Sequence, residues 1–277
     1  DGQGLANLYG GRAALAKKLD QLFETTLETD TVGARQGIHE RREAQEVKMG
    51  EYGHSNQPSH HIPYMYLYAG RPDRTQEKVR QVLRQCYVGS RIGQGYIGDE
   101  DNGEMSAWFI FSAMGFYPLN MGNGELVFGS PLFKKITLHH ENGHDLIIEA
   151  PNNSSTNIYV GGLTINGTPY SKTSIKQTDL TDQLKTQDVV LHFDMQATPG
   201  NWGRGENDVP DSLTKGDGIP DPLRDRTNSA AVVAEEVPTT LSSGDSIYSA
   251  DGKNLKNLLD NNSKTSATLK PTDGIIS

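Results

Sequence analysis

"GDEDNGEMSAWFIFSAMGFYP", residues Gly98 to Pro118, places four carboxylates, Asp99, Glu100, Asp101 and Glu104, directly ahead of a run with hardly a charge in it. Met105, Ala107, Trp108, Phe109, Ile110, Phe111, Ala113 and Met114 cover every face of a 3.6-residue period, which predicts a helix over 103–114, buried in a large domain and ended by Gly115. Asp101 or Asn102 is a favourable N-cap and Glu104 lies in the first turn, so part of the acidity complements the helix dipole. Capping uses one or two of these groups and not four. Asp99 and Asp101 are two apart, and in an extended lead-in such a pair points to one side. Near a helix N-terminus each is biased towards its ionised form, as a general base or a hard-cation ligand requires. A calcium loop of the EF-hand kind does not fit, because counting from Asp99 puts Gly103 at position 5 and Ile110 at position 12.

Ahead of this stretch, Leu15, Leu19, Leu22 and Phe23 in "GGRAALAKKLDQLFET" mark one face of a helix that starts after Gly10 and Gly11. Val79, Val82, Leu83, Cys86 and Tyr87 in "RTQEKVRQVLRQCYVGS" repeat the pattern, with Gly89 as its C-cap. Between them, "PSHHIPYMYLYAG" reads as a shorter, buried helix interrupted near Pro63.

A second polar constellation, "YGHSNQPSHHIPY", gathers His54, Asn56, Gln57, His60 and His61 near Glu51. It lacks the spacing of a His-Glu-x-x-His zinc site. Each histidine taken singly reads as structural; as a group, the amides and imidazoles suit sugar hydroxyls, with Asn56 and Gln57 as oxygen ligands for calcium.

At 277 residues the chain is long enough to bury a substantial core. Its formal net charge of −9 argues against nucleic acid or an anionic membrane as the main partner. Cys86 stands alone, so no internal disulfide forms. No apolar run reaches the roughly 18 residues of a membrane span, and the start, "DGQGLANLYGG", reads as the middle of something longer.

Past Pro118 the period moves towards 2 in "ELVFGS", "KKITLHH", "HDLIIEA", "TNIYVGGLTING" and "DVVLHFDM", separated by Gly, Asn and Pro turns, which predicts antiparallel sheet. From Gln196 the chain turns rich in Gly, Pro, Ser and Asp, and an irregular tail with little packed core is expected. Acceptor sequons for glycosylation occur at Asn152, Asn153, Asn166 and Asn261.

With "DGQGLANLYGG", "NQPSHHIPYMYLYAGRPDRTQEKVRQVL", "GDEDNGEMSAWFIFSAMGFYP" and "VFGSPLFKKITLHHENG" all in order, the chain resembles the carboxy-terminal catalytic part of glycoside hydrolase family 92, the calcium-dependent exo-α-mannosidases, over about Asp1 to Met195. The resemblance implies an α+β fold, with helices of an (α/α)6 toroid in 1–118 followed by an antiparallel β region in 119–195; composition makes 196–240 a linker or irregular tail, and 241–277 is expected to open a carbohydrate-binding module. It implies inverting hydrolysis of terminal α-mannose from N-glycans or mannans by a secreted or surface-attached enzyme. The family's paired aspartates match Asp99 and Asp101, one the general base and the other its partner. Substrate contacts are expected from Glu51, Asn56, Gln57, His60, His61 and Asn102, and calcium ligation from Asn56, Gln57 and Asp101. Gln57 stands where the family often has Glu. The family's general acid, a glutamate, falls ahead of Asp1, so the expected partner is the amino-terminal part of the same protein and the fragment alone is expected to be inactive. In the tail, "GDGIPD" resembles calcium-binding aspartate repeats and "NLLDNNSKTSAT" the start of a discoidin-type module.

Two rival classes stand beside this reading. A non-catalytic glycan-binding module would use Asp99 and Asp101 as calcium ligands only. A phosphorylase on a similar toroid would need basic residues for phosphate beside the base.

Overall fold

The structure, a computed structural model, describes residues 1–26, 39–87 and 95–219. Its amino-terminal half is helical: α1 (Gly2–Leu8), α2 (Arg12–Glu24), α3 (His39–Val47), two 3-10 turns (Gln57–Ser59 and Ile62–Leu67), α4 (Pro72–Gln85) and α5 (Glu104–Met114). α2 starts at Gly11 and buries Leu15, Leu19 and Phe23, the face that its spacing predicts. α1 was not expected; Asp1 caps it by accepting from the Gly4 amide at 3.2 Å.

The "PSHHIPYMYLYAG" segment forms 3-10 turns and not an α-helix. Pro63 sits in the first turn of the second one, where its missing N–H costs nothing, so it starts the element and does not interrupt it. α4 ends at Gln85 with Cys86 as its C-cap, earlier than the expected Gly89, which lies outside the described residues. α2 and α4 are tied by Arg74, whose guanidinium donates to Asp20 at 2.7 and 3.0 Å, while the Tyr66 hydroxyl donates to the same carboxylate at 2.8 Å.

Gly115, left-handed at φ 95°, ends α5 and turns the chain into a three-stranded antiparallel sheet of β1 (Phe116–Asn120), β2 (Glu125–Phe128) and β7 (Ser174–Lys176). A second sheet runs β3 (Lys135–His139), β4 (Asp145–Glu149), β8 (Val189–Gln196), β5 (Tyr159–Ile165), β6 (Thr168–Pro169), with α6 (Gln177–Leu184) inserted before β8. The pairings are antiparallel except β4 with β8, which run parallel from Leu146 opposite Val189 to Glu149 opposite His192. Alternation along a strand reports which face is buried and not the direction of its neighbour, so this pair was invisible to periodicity. The class is α+β.

Two apolar cores result. One joins Leu15, Phe23, Tyr64, Tyr66, Val79, Val82 and Trp108; the other joins Phe128, Val160, Leu163, Val189, Leu191, Phe193 and Trp202. α5 belongs to both, through Trp108 near its middle and Met114 at its carboxy-terminal end. At about 1.5–3 kcal/mol for each large side chain removed from water, this double anchorage fixes the helix firmly. It is not buried all round, as its composition predicts, because Ile110 is 53% exposed and Ser106 and Ala107 face outward beside it.

Most side chains of 197–219 are exposed, with Trp202, Gly203 and Pro210 buried among them. Trp202 is 9% exposed, stands edge-on to Phe128 and donates its indole N–H to the Tyr170 carbonyl at 2.8 Å. The segment has no regular element, yet it runs back to α1, where the Asn7 amide donates to the Gly216 and Gly218 carbonyls at 2.9 and 2.6 Å. One tryptophan and a series of side-chain hydrogen bonds hold this strap, and neither needs a hydrophobic run. The end of "GDGIPD", the discoidin-like stretch and Asn261 lie outside the described residues. Of the remaining sequons, Asn153 is 5% exposed and its amide is spent on the Leu132 carbonyl and the Arg80 guanidinium.

Candidate active site at the amino-terminal end of α5

The approach to α5 is a left-handed turn and not an extended strand. Asp101 (φ 51°) and Asn102 (φ 59°) both take positive φ, between Gly98 (φ 75°) and Gly103 (φ 101°). Asp and Asn tolerate this region best among residues with a side chain, and two in succession mark stored strain of the kind that clusters at functional sites.

The capping role falls on a residue that the sequence reading passed over. Gly103 is the N-cap and offers no side chain. Glu100 supplies it, accepting from the Gly103 amide and, at 3.2 Å, from the Ser106 amide. Hydrogen bonds from Ser106 first, and then from Gly103, hold its carboxyl below the ordinary value. Asp101 and Asn102 therefore do not cap, and both project outward, as does Asp99. The acidity of the stretch is thus divided between the capping Glu100, the exposed pair Asp99 and Asp101, and Glu104 in the first turn of α5.

The second constellation meets this turn. The Gln57 side-chain amide donates to the Asp101 carboxylate across 44 positions of sequence, joining the first 3-10 turn to the mouth of α5. Three residues on, His60 is 2% exposed and points Nδ1 at Glu104, 3.7 Å away. His60 Nε2 lies 3.0 Å from the His54 carbonyl, which only accepts, so Nε2 carries the proton. His54 is fixed as well: the Tyr87 hydroxyl donates to the Met105 carbonyl at 3.0 Å, so it accepts from His54 Nε2–H at 2.8 Å, and the Tyr52 hydroxyl donates to Nδ1 at 2.8 Å. Burial first, and then the neighbouring His60, push the His54 pKa well below the usual histidine value; burial also lowers that of His60. Both imidazoles are neutral scaffold, packed on each other at 4.6 Å and against Trp108, whose indole donates to the His60 carbonyl at 3.1 Å.

Gly98 closes the arrangement from below. A Cβ placed on it would lie 2.5 Å from Ser55 Cβ and 3.1 Å from Glu43 Oε2, so only glycine lets the Asp99–Asp101 turn lie against the Ser55–Gln57 turn. Asp99 also adds to the charges of Glu43 and Glu40 that raise the pKa of His39 on α3.

Of the predicted site residues, Gln57 and Asp101 are in contact, His60 stands beside them facing Glu104, and Asp99 shares their turn. Glu51, Asn56, His61 and Asn102 make no side-chain hydrogen bond or ion pair among the described residues; of these, Glu51 is held only through its backbone amide, which donates to the Leu22 carbonyl at 2.8 Å. Among the described residues, no three His, Cys, Asp or Glu side chains converge as a metal group. Gln57 and Asp101 do present adjoining oxygen-bearing groups, a donor chemistry that suits a hard cation completing its shell with water or hydroxyls, while the imidazole of His54 is fully engaged.

A turn of exposed carboxylates thus sits at the end of a doubly anchored helix, beside an amide and imidazole cluster. The model of the glycosyl hydrolase family 92 catalytic domain matches residues 1–197. The chain belongs to glycosyl hydrolase family 92. Among solved structures, a family GH92 α-mannosidase of Bacteroides thetaiotaomicron is 31% identical, with a TM-score of 0.64 over 78% of this chain and 26% of its own. A family GH92 inverting mannosidase of the same organism is 37% identical, with a TM-score of 0.62 over 78% of this chain and 28% of its own. A secreted glycosidase of Arthroderma benhamiae, itself uncharacterized, is 26% identical over 218 residues, 76% of this chain and 24% of that protein. The chain thus spans about a quarter of the length of the relatives it matches.

Proposed function

We propose that this chain is the carboxy-terminal catalytic portion of a secreted or surface-attached exo-α-mannosidase, contributing part of an (α/α)6 toroid (1–118) and a β segment packed on it (119–195), with 196–240 as a tail and 241–277 opening a carbohydrate-binding module. Family membership supports the reaction class, and one of the solved relatives was crystallised with mannoimidazole. The observation that carries the residue assignment is that Glu100 caps α5, which leaves Asp99 and Asp101 free of that duty at a strained, glycine-bounded turn.

In this reading one of Asp99 and Asp101 takes the proton from the attacking water and the other holds it in place. Both lie on the rim of a helix fixed by two cores, so the base moves little between turnovers. Gln57 orients the Asp101 carboxylate, Glu51, Asn56, His61 and Asn102 offer hydrogen bonds to the hydroxyls of the sugar, and the buried His60, expected from the sequence among them, supports the turn from beneath. An inverting reaction sets the base roughly 6.5–9.5 Å from a carboxylic acid on the other face of the ring, leaving room for the water. That acid, a glutamate, comes from the part of the protein that precedes this chain. Calcium, held by Gln57 and Asp101 with Asn56 nearby in sequence, would supply polarisation of two sugar hydroxyls and favour ring distortion. The substrates are terminal α-mannosides of N-glycans or mannans. The test is mannose release by the full-length protein, in which Asp99→Asn or Asp101→Asn should lose about 100-fold or more of turnover while sugar affinity is kept. A full-length protein that binds mannose and never cleaves it contradicts the reading.

A further inference from the structure

Arg80 and Arg84 lie one turn apart on α4, so their side chains leave the same face. The Arg80 guanidinium is half-buried, and every acceptor it uses is neutral: the Pro131 carbonyl at 2.7 Å, Asn153 Oδ1 at 2.6 Å and the Ser154 carbonyl at 3.0 Å. Arg84 has no partner at all among the described residues. Both line a cavity of about 340 Å³, together with the apolar Leu132 and Ile158 and with Ser155. Glu77 also lines it, but its carboxylate is taken by Arg74 at 2.9 Å and approached by Lys78 at 3.7 Å. A cation withdrawn from water is normally paired with an anion. The half-buried Arg80 departs from this rule, and the exposed Arg84 adds a second positive charge at the same cavity. Burial first, and then the charge of Arg84, hold the Arg80 pKa below its usual value, so an added anion would be stabilised there.

We propose that this cavity is a second binding site, which takes an oxyanion carried on a sugar ring. Arg84 makes the charged contact, Arg80 supplies the positive field from below, Ser155 donates a hydrogen bond, and a C–H face of the ring rests on Leu132 and Ile158. The guanidinium fork suits phosphate and carboxylate oxygens, and charge-assisted hydrogen bonds are about twice as strong as neutral ones. The choice of a sugar as carrier rests on the mannosidase reading; the oxyanion contact does not.

Calorimetric titration of the full-length protein with glucose 6-phosphate, inorganic phosphate and glucose tests this site. Glucose 6-phosphate should bind saturably, inorganic phosphate more weakly, and glucose not at all at the same concentrations. Arg84→Ala, at an exposed position that the fold does not need, should weaken glucose 6-phosphate about tenfold, the loss expected for one charged hydrogen bond. Asp101→Asn should leave that affinity unchanged, whatever it does to hydrolysis, which separates this site from the catalytic reading. Absence of saturable phosphate binding, or an Arg84→Ala protein that binds as tightly as the parent, overturns the site. Equal affinity for inorganic phosphate and glucose 6-phosphate overturns the ring contact, and binding of glucose as tight as that of glucose 6-phosphate overturns the oxyanion contact.

Discussion

The side-chain amide of Gln57 donates to the carboxylate of Asp101, and this one contact joins the two polar constellations of the chain across 44 residues. If Asp101 works on the reacting water, either as base or as the base's partner, the amide sets its orientation. Gln57→Ala should then lower kcat/KM by about tenfold to a hundredfold, the loss of a hydrogen bond to a charged group. Steady-state kinetics of the full-length protein check it, and unchanged kinetics would show that Asp101 needs no such support.

Gly98→Ala is expected to separate the same two turns. The added Cβ meets Ser55 Cβ at 2.5 Å, and φ 75° is strained for alanine. Circular dichroism should keep its helical signal while activity falls to near that of the aspartate variants. Retained activity would mean that Asp99 and Asp101 do not depend on close approach to Ser55–Gln57.

Glu100 should contribute to stability and little to chemistry. Its folded pKa lies below the unfolded value of 4.5, so its contribution is present above about that pH and is lost as pH falls through the folded value. The stability gap between the parent and Glu100→Gln, read by urea denaturation, should be open at pH 7 and close on acidification below pH 4. A gap that widens in acid would contradict the capping role.

His54 adds a second loss on acidification, at higher pH. Its pKa lies well below the unfolded value of 6.5, so between the two the unfolded chain binds the extra proton. Stability should therefore hold steady above about pH 6.5 and fall as pH drops below it. Denaturation midpoints at pH 7.5 and pH 5 check the sign, and a midpoint that rises towards pH 5 would require a charged His54 in the folded state.

Trp202→Ala should cost about 3 kcal/mol, the usual range for a buried tryptophan replaced by a cavity, because the indole fills the second core and holds Tyr170. A loss below about 1 kcal/mol would show that the 197–219 strap is dispensable to the fold.

The helices α2, α4 and α5 were legible because their apolar spacing repeats over several turns, and the sheet region because its period changes at Pro118. What periodicity could not carry was whatever depends on single residues or on distant partners. The cap passed from Asp101 to Glu100 because two residues in positive φ shifted the start of the helix, and no spacing rule reports φ. The pairing of β4 with β8 and the packing of Trp202 depend on partners 43 and 32 residues away. In the site, the residue types were readable from sequence, whereas the pairing of Gln57 with Asp101 and of His60 with Glu104 needed coordinates.

The central claim is a metal-assisted base at Asp99 and Asp101, and mannose release from a simple α-mannoside by the full-length protein tests it most directly, with added calcium and then with excess EDTA, beside Asp99→Asn and Asp101→Asn. Activity that vanishes with EDTA and in at least one variant is the predicted result. Activity that persists in both variants, or that EDTA leaves untouched, would contradict it.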